Sequence, residues 1–157
     1  MMITKPNANS FINTHNSLGF IIVPVIIRKH LEDALEKSFP NEGCGFIFGV
    51  EKEDFRIIKK IWPVRNAKLG DQTRRFMIDP RDYLKAEQFA VSSGMDLLGI
   101  YHSHPNHPAN PSIHDFHWAV PYFSFVILSI YNGKTVDWAS WRLHDDGSEF
   151  VSEKVIL

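Results

Sequence analysis

The sequence predicts one domain of the α/β or α+β class, built around a single sheet. Three observations predict it. The 157 residues are one domain's worth, since domains commonly run ~100–200 residues. Two segments repeat apolar residues at helical spacing: Ile27, Leu31, Ala34 and Leu35, then Tyr83, Ala86 and Ala90. Around them lie both isolated apolar runs and runs joined by tight-turn pairs, a mixture that points to helices layered on a sheet.

The elements follow in order. Gly19–Val23 reads as a strand. Residues 25–38 read as a helix, with Glu32, Asp33, Glu36 and Lys37 on its polar face and Pro40 ending it. Cys44–Gly49 is a short apolar run of the buried-strand kind, and Phe55–Val64 a second strand. Residues 65–73 are a loop, and Arg74–Ile78 a short strand. Asp79 is a suitable N-cap for the next helix, Pro80 suits its first position, and Gly94 follows its end. Leu97–Tyr101 is a buried strand running into His102. Three prolines and two asparagines make residues 105–111 a loop. Ser112–Ala119 can form a short helix. Strands Phe125–Tyr131, Val136–Leu143 and Glu149–Leu157 close the chain, with turns at Asn132–Gly133 and Asp146–Gly147.

Composition excludes several function classes. Hydrophobic residues make up 44% and charged residues 22%, enough for a core and against disorder. Net charge is -1, so nucleic acid is not an expected partner. The longest apolar stretch near the start, Phe20–Ile27, is broken by Pro24. It is far short of the ~20 residues that cross a bilayer. Residues 1–18 carry no signal-peptide pattern. The expectation is a cytoplasmic protein without a membrane partner, with residues 1–17 a flexible leader and residues 18–157 the domain. The sequence sets no oligomeric state. Cys44 is the only cysteine, which rules out an intrachain disulfide and any zinc site built from several thiolates of one chain. It reads as a small buried apolar residue rather than a nucleophile.

The eight histidines are distributed unevenly: five, His102, His104, His107, His114 and His117, fall within sixteen residues. His102 and His104 lie at a strand end, where residues i and i+2 point the same way. Two imidazoles can then reach one metal ion. Asp115, beyond the proline loop, could add a carboxylate. Two His, one Asp and a water describe an open, catalytic zinc site. Ser112-x-x-Asp115 has a second reading, a capping box that satisfies helix N-terminal amides. His107, His114 and His117 read as exposed or as neighbours of the ligands. Ser103 should point away from any metal and reads as structural.

Taken together, His102-Ser103-His104, a spacer of seven residues that begins with Pro105, and Ser112-x-x-Asp115 resemble the JAMM motif of the MPN+ (JAB-domain) metallopeptidases. The match is complete in residue type and spacing. Leu98–Tyr101, Asn41-Glu42-Gly43-Cys44-Gly45 with Gly49, and Phe76–Pro80 resemble the flanks of the small prokaryotic members. The resemblance covers roughly residues 20–130 and implies a cytidine-deaminase-like fold, a mixed sheet flanked by helices. It implies Zn2+ on His102, His104 and Asp115. It implies Glu42 as the general acid/base that takes a proton from the zinc-activated water and returns it to the leaving amine. It implies Ser112 as the oxyanion-stabilising serine.

The implied reaction is hydrolysis of an amide or isopeptide bond after the C-terminal Gly-Gly tail of a ubiquitin-like or sulfur-carrier protein. Arg74–Ile78 is the expected edge to which such a tail would add, with basic Arg65, Lys68, Arg74 and Arg75 nearby. Three rivals remain. One is another zinc peptidase, of the cell-wall or phage-tail type. A second is a non-catalytic MPN scaffold, which usually lacks the ligand set. A third, a nucleobase deaminase, needs thiolate ligands that one cysteine cannot supply.

Overall fold

Residues 19–157 are described by this computed structural model; the expected leader at residues 1–17 lies outside them. The chain runs β1 (Phe20–Ile22), α1 (Val25–Ser38), β2 (Cys44–Glu51), β3 (Phe55–Val64), α2 (Pro80–Ser93), β4 (Asp96–Pro105), α3 (Ile113–His117), β5 (Ser124–Tyr131), β6 (Lys134–Leu143) and β7 (Phe150–Ile156). Local chemistry accounts for the boundaries. In α1, Ile27, Leu31 and Leu35 form the buried stripe. In α2, the Asp79 side chain accepts from the Arg81 N–H, Pro80 opens the first turn, and Gly94 ends the helix at φ 67°. That left-handed backbone is one that glycine adopts without steric cost. Asn132 and Gly133, at φ 50° and 80°, make the β5–β6 hairpin turn.

The sheet is mixed. Its strand order is β1-β3-β2-β4-β5-β6-β7, and β1 pairs in parallel with both β3 and β7, closing the sheet into a barrel. The β4–β5 pair is also parallel, with α3 in the connection. One apolar layer joins α1 to Ile47, Ile58, Val126 and Leu128 of the strands. A second joins Ala86 and Ala90 of α2 to Phe46, Phe48 and Ile100. Alternation along β2, with Ile47 facing one layer and Phe46 and Phe48 the other, is the period of two that a strand covered on both faces shows. No described helix is long and apolar enough to cross a membrane.

One expected element does not form. Arg74–Ile78 is not a strand. Its backbone groups are taken by one side chain instead of a ladder: the Met77 N–H donates to Asn66 Oδ1, and Asn66 Nδ2 donates to the Arg75 carbonyl. The Met77 carbonyl accepts from Ala67 N–H. The Arg75 carbonyl and both backbone groups of Met77 are thereby taken by residues 66 and 67 of the same loop.

Candidate metal centre

The antiparallel pairing of β2 with β4 sets Cys44 opposite His102. Continuing that register brings Gly43 beside Ser103, where the Gly43 N–H donates to Ser103 Oγ at 2.9 Å and the Ser103 N–H donates to the Gly43 carbonyl at 3.1 Å. Glu42 is thereby carried to the end of β4 where His104 lies. Gly43 has no room for a side chain: a Cβ there would lie 2.6 Å from Ser38 Oγ and 2.8 Å from a Leu35 methyl. The sixty residues between Glu42 and His102 are bridged by a sheet register, and Ser103 locks that register from the side facing away from the histidines.

His102 and His104 project from the same face of β4, and both are buried. Their Nε2 atoms are 3.1 Å apart. Asp115 sits in the first turn of α3 and presents Oδ1 to His102 Nε2 and Oδ2 to His104 Nε2, each at 3.3 Å. The same carboxylate accepts from the Ser112 N–H at 2.7 Å, while Ser112 Oγ accepts from the Asp115 N–H at 3.1 Å. The capping box and the ligand position are therefore one arrangement. The cap fixes the carboxylate rather than competing for it.

The donor set fits a metal ion. Nitrogen and oxygen ligands held tetrahedrally at ~2.0–2.1 Å stand about 3.3 Å from one another, close to the spacings found here. The His104 Nδ1 proton is donated to the Pro108 carbonyl at 2.8 Å, which leaves the Nε2 lone pair facing inward. Two ring nitrogens at 3.1 Å beside a carboxylate are stable only with a proton or a cation among them. These three residues form the only such group of metal-binding type among the described residues, and Glu42 is not part of it.

Burial sets the charges. It holds the His102 imidazole below its ordinary pKa, against the pull of Asp115, and so favours the neutral, ligating form. Burial also opposes protonation of His104, but the Asp115 carboxylate and the Pro108 carbonyl outweigh it and raise that pKa. Asp115 would be raised by burial, yet His102, His104 and the Ser112 N–H hold it well below the usual carboxylate range. Glu42 lacks such partners. Burial pushes its carboxyl up to about 8; His104 opposes this and the Asp115 charge adds to it. One carboxylate is thus kept ionised and the other is kept ready to exchange a proton near neutral pH.

A cleft of about 680 Å³ is lined by Glu42, His104 and Ser112 together with Lys68, Arg74 and Arg75. His107 and His114 border the cleft, but neither joins the ligand group, and His117 is exposed on α3. The ring of Phe76 stacks on His102 with centroids 4.4 Å apart, a contact that periodicity does not foretell because Phe76 lies in irregular chain. Asn66 and Gln72, which hold the loop to Glu42, also went unmarked by any motif. Cys44 is buried, and burial together with the Glu42 charge pushes its thiol up to about 12. A thiolate nucleophile is thus excluded at neutral pH. Cys44→Ala is expected to leave catalysis within about threefold of wild type while costing roughly 1 kcal/mol of packing; kcat and a urea melt check the two.

A family model described as prokaryotic homologs of the JAB domain matches residues 24–144. This chain belongs to the prokaryotic JAB-domain family. The JAB domain is 33% identical over 108 residues to a probable TtuB-protein conjugate cleaving protease of Thermus thermophilus, covering 67% of this chain and 69% of that one. It is 34% identical over 96 residues to a desampylase of Pyrococcus furiosus, covering 59% of this chain. The match spans 64% of that desampylase, just under two thirds of its length. Among solved structures, a protein of Desulfitobacterium hafniense superposes with a TM-score of 0.76 at 30% identity, covering 88% of this chain and 92% of the other. A JAB1/MPN domain protein from Archaeoglobus fulgidus superposes with a TM-score of 0.51 at 18% identity, covering 90% of this chain and 100% of the other. That last likeness is one of fold. The family assignment accounts for the mixed sheet flanked by helices and for the His-x-His, Ser-x-x-Asp spacing together.

Proposed function

We propose that this JAB domain is a zinc-dependent isopeptidase that hydrolyses the amide bond after the C-terminal Gly-Gly tail of a ubiquitin-like or sulfur-carrier protein. The observation that carries the reading is a three-residue ligand group beside a separate buried glutamate, with His104 of the group and Glu42 lining one open cleft. His102, His104 and Asp115 would hold a zinc ion, which would supply Lewis acidity toward a water and the scissile carbonyl. Glu42 takes the proton of the attacking water and passes it to the departing lysine amine. In the metal-free protein burial raises its pKa, so this carboxyl is not held ionised as that of Asp115 is. Ser112 Oγ accepts one bond from the cap, so its own hydrogen is left to donate to the oxyanion as the scissile carbon becomes tetrahedral.

The substrate class rests on the relatives. One is named for cleaving TtuB conjugates and two are named desampylases. The tail enters the cleft that Lys68, Arg74 and Arg75 line together with Glu42 and His104. Ser112→Ala is expected to lower kcat by about 10²-fold and to cost about 1 kcal/mol through loss of the helix cap. Steady-state kinetics and denaturant unfolding read the two effects separately.

The test offers the zinc-loaded protein two substrates. One is a ubiquitin-like protein joined through its terminal glycine to a lysine ε-amine. The other is a cell-wall stem peptide. The expected result is release of the intact modifier and a free lysine, with the stem peptide untouched. Cleavage of the stem peptide alone would move the protein to the cell-wall reading, and cleavage of neither would favour a scaffold.

A further inference from the structure

Glu42 belongs to a short link, residues 39–43, between α1 and β2, so it lies in neither helix nor strand. Its backbone is nonetheless paired at both ends. The Glu42 N–H donates to the Gln72 carbonyl at 2.7 Å, and the Glu42 carbonyl accepts from Asn66 Nδ2 at 3.0 Å. Both partners come from the loop between β3 and α2. The same Asn66 amide donates to the Arg75 carbonyl at 3.0 Å and accepts from the Lys68 N–H at 3.0 Å and the Met77 N–H at 3.1 Å. Two donors and two acceptor sites are all an amide side chain has, and each is used. Its orientation is fixed by these partners: a flip would set the oxygen against two carbonyls and the NH₂ against two N–H groups. Gln72 Nε2 completes the wrap by donating to the carbonyls of Asn66 and Lys68.

We infer that Asn66 is a positioning residue that joins the cleft wall bearing Lys68, Arg74 and Arg75 to the backbone of Glu42, so that the substrate-facing loop and the proton-transfer group form one hydrogen-bonded body. The inference rests on the proposed role of Glu42 in catalysis. The chemistry of the joint is specific. Aspartate keeps the shape and both acceptor bonds, to Lys68 and Met77, but loses both donors, to Glu42 and Arg75. Alanine loses all four. A residue that merely tied the loop together would be harmed much less by aspartate than by alanine, because two of its three bonds within the loop, to Lys68 and Met77, still form. A residue that sets Glu42 would be harmed by both.

The test compares Asn66→Asp and Asn66→Ala with wild type in three readouts: zinc affinity, kcat and KM on a ubiquitin-like conjugate, and amide hydrogen exchange at Glu42, Lys68 and Met77. Both variants are expected to bind zinc as wild type does and to lose kcat by about tenfold or more, since small displacements of a reacting group are costly in rate. The Glu42 amide should exchange faster in both, while in Asn66→Asp the Lys68 and Met77 amides stay protected. Placed on Glu42→Gln, Asn66→Asp should lower the residual rate no further. The inference is overturned if Asn66→Asp turns over at the wild-type rate, if zinc affinity falls in step with kcat, or if Glu42 exchange is unchanged. Failure of wild-type protein to cleave any conjugate would overturn the proposed function instead. The exchange rates, which need no turnover, would still decide whether Asn66 clamps Glu42.

Discussion

Glu42→Gln is expected to keep its zinc and lose about 10³-fold in kcat, the scale that a positioned acid/base contributes. Glutamine has the same shape and none of the basicity. The ligand group of His102, His104 and Asp115 does not include residue 42, so metal affinity should be unaffected. The variant also has a pH signature in the metal-free protein. The folded-state pKa of Glu42 is raised from 4.5 to about 8. Between those values the unfolded chain has released a proton that the folded chain still holds, so folding stability falls as pH rises through the window. Removing the carboxyl removes that loss. Metal-free Glu42→Gln should therefore match wild type near pH 4 and exceed it increasingly toward pH 8, by up to about 1.4 kcal/mol per pH unit. Urea unfolding across that range checks the sign. A bound dication would favour the ionised carboxylate and shrink the gap. A variant that still turned over at the wild-type rate would remove Glu42 from the reaction.

His104→Ala is expected to abolish activity altogether and to weaken zinc binding by well over 10²-fold, more than the 10–100-fold typical of losing a partner behind a ligand. His104 occupies the middle of the arrangement. Its Nε2 faces both His102 Nε2 and Asp115 Oδ2, and its Nδ1 is anchored on the Pro108 carbonyl. Alanine removes one of three ligands and the anchor together. Asp115 keeps its cap to Ser112, so α3 should remain folded and circular dichroism should show little change. Competition against a zinc chelator of known affinity reads the loss. Retention of zinc at wild-type affinity would place the metal elsewhere.

Much of this arrangement is legible in the sequence because it is local. The His102-x-His104 spacing fixes two side chains on one strand face, and Ser112-x-x-Asp115 fixes a cap geometry, whatever the rest of the chain does. Helix α2 is equally local, with Asp79, Pro80 and Gly94 each acting within a turn. What the sequence leaves open is long-range. Closure of the sheet depends on three residues of β1 pairing with both β3 and β7, a contact with no local pattern. The meeting of Glu42 with His104 depends on the β2–β4 register and on the reciprocal bonds between Gly43 and Ser103. Only the family resemblance suggested that meeting. The expected strand at Arg74–Ile78 fails for a similar reason. Two of its apolar residues are spent on the interior, Ile78 in the α2 layer and Phe76 on the His102 ring, while Asn66 takes the Arg75 carbonyl and the Met77 N–H. Alternation of side chains does not reveal such a competitor.

The central claim is that His102, His104 and Asp115 hold one catalytic metal while Glu42 stands apart as the proton carrier. Anomalous diffraction at the zinc absorption edge from crystals of the zinc-loaded protein tests it most directly. The account predicts a single peak ~2.0–2.2 Å from His102 Nε2, His104 Nε2 and one Asp115 oxygen, with no direct bond to Glu42. A peak at another site, no peak between the two histidines, or a zinc ion ligated by Glu42 would contradict it.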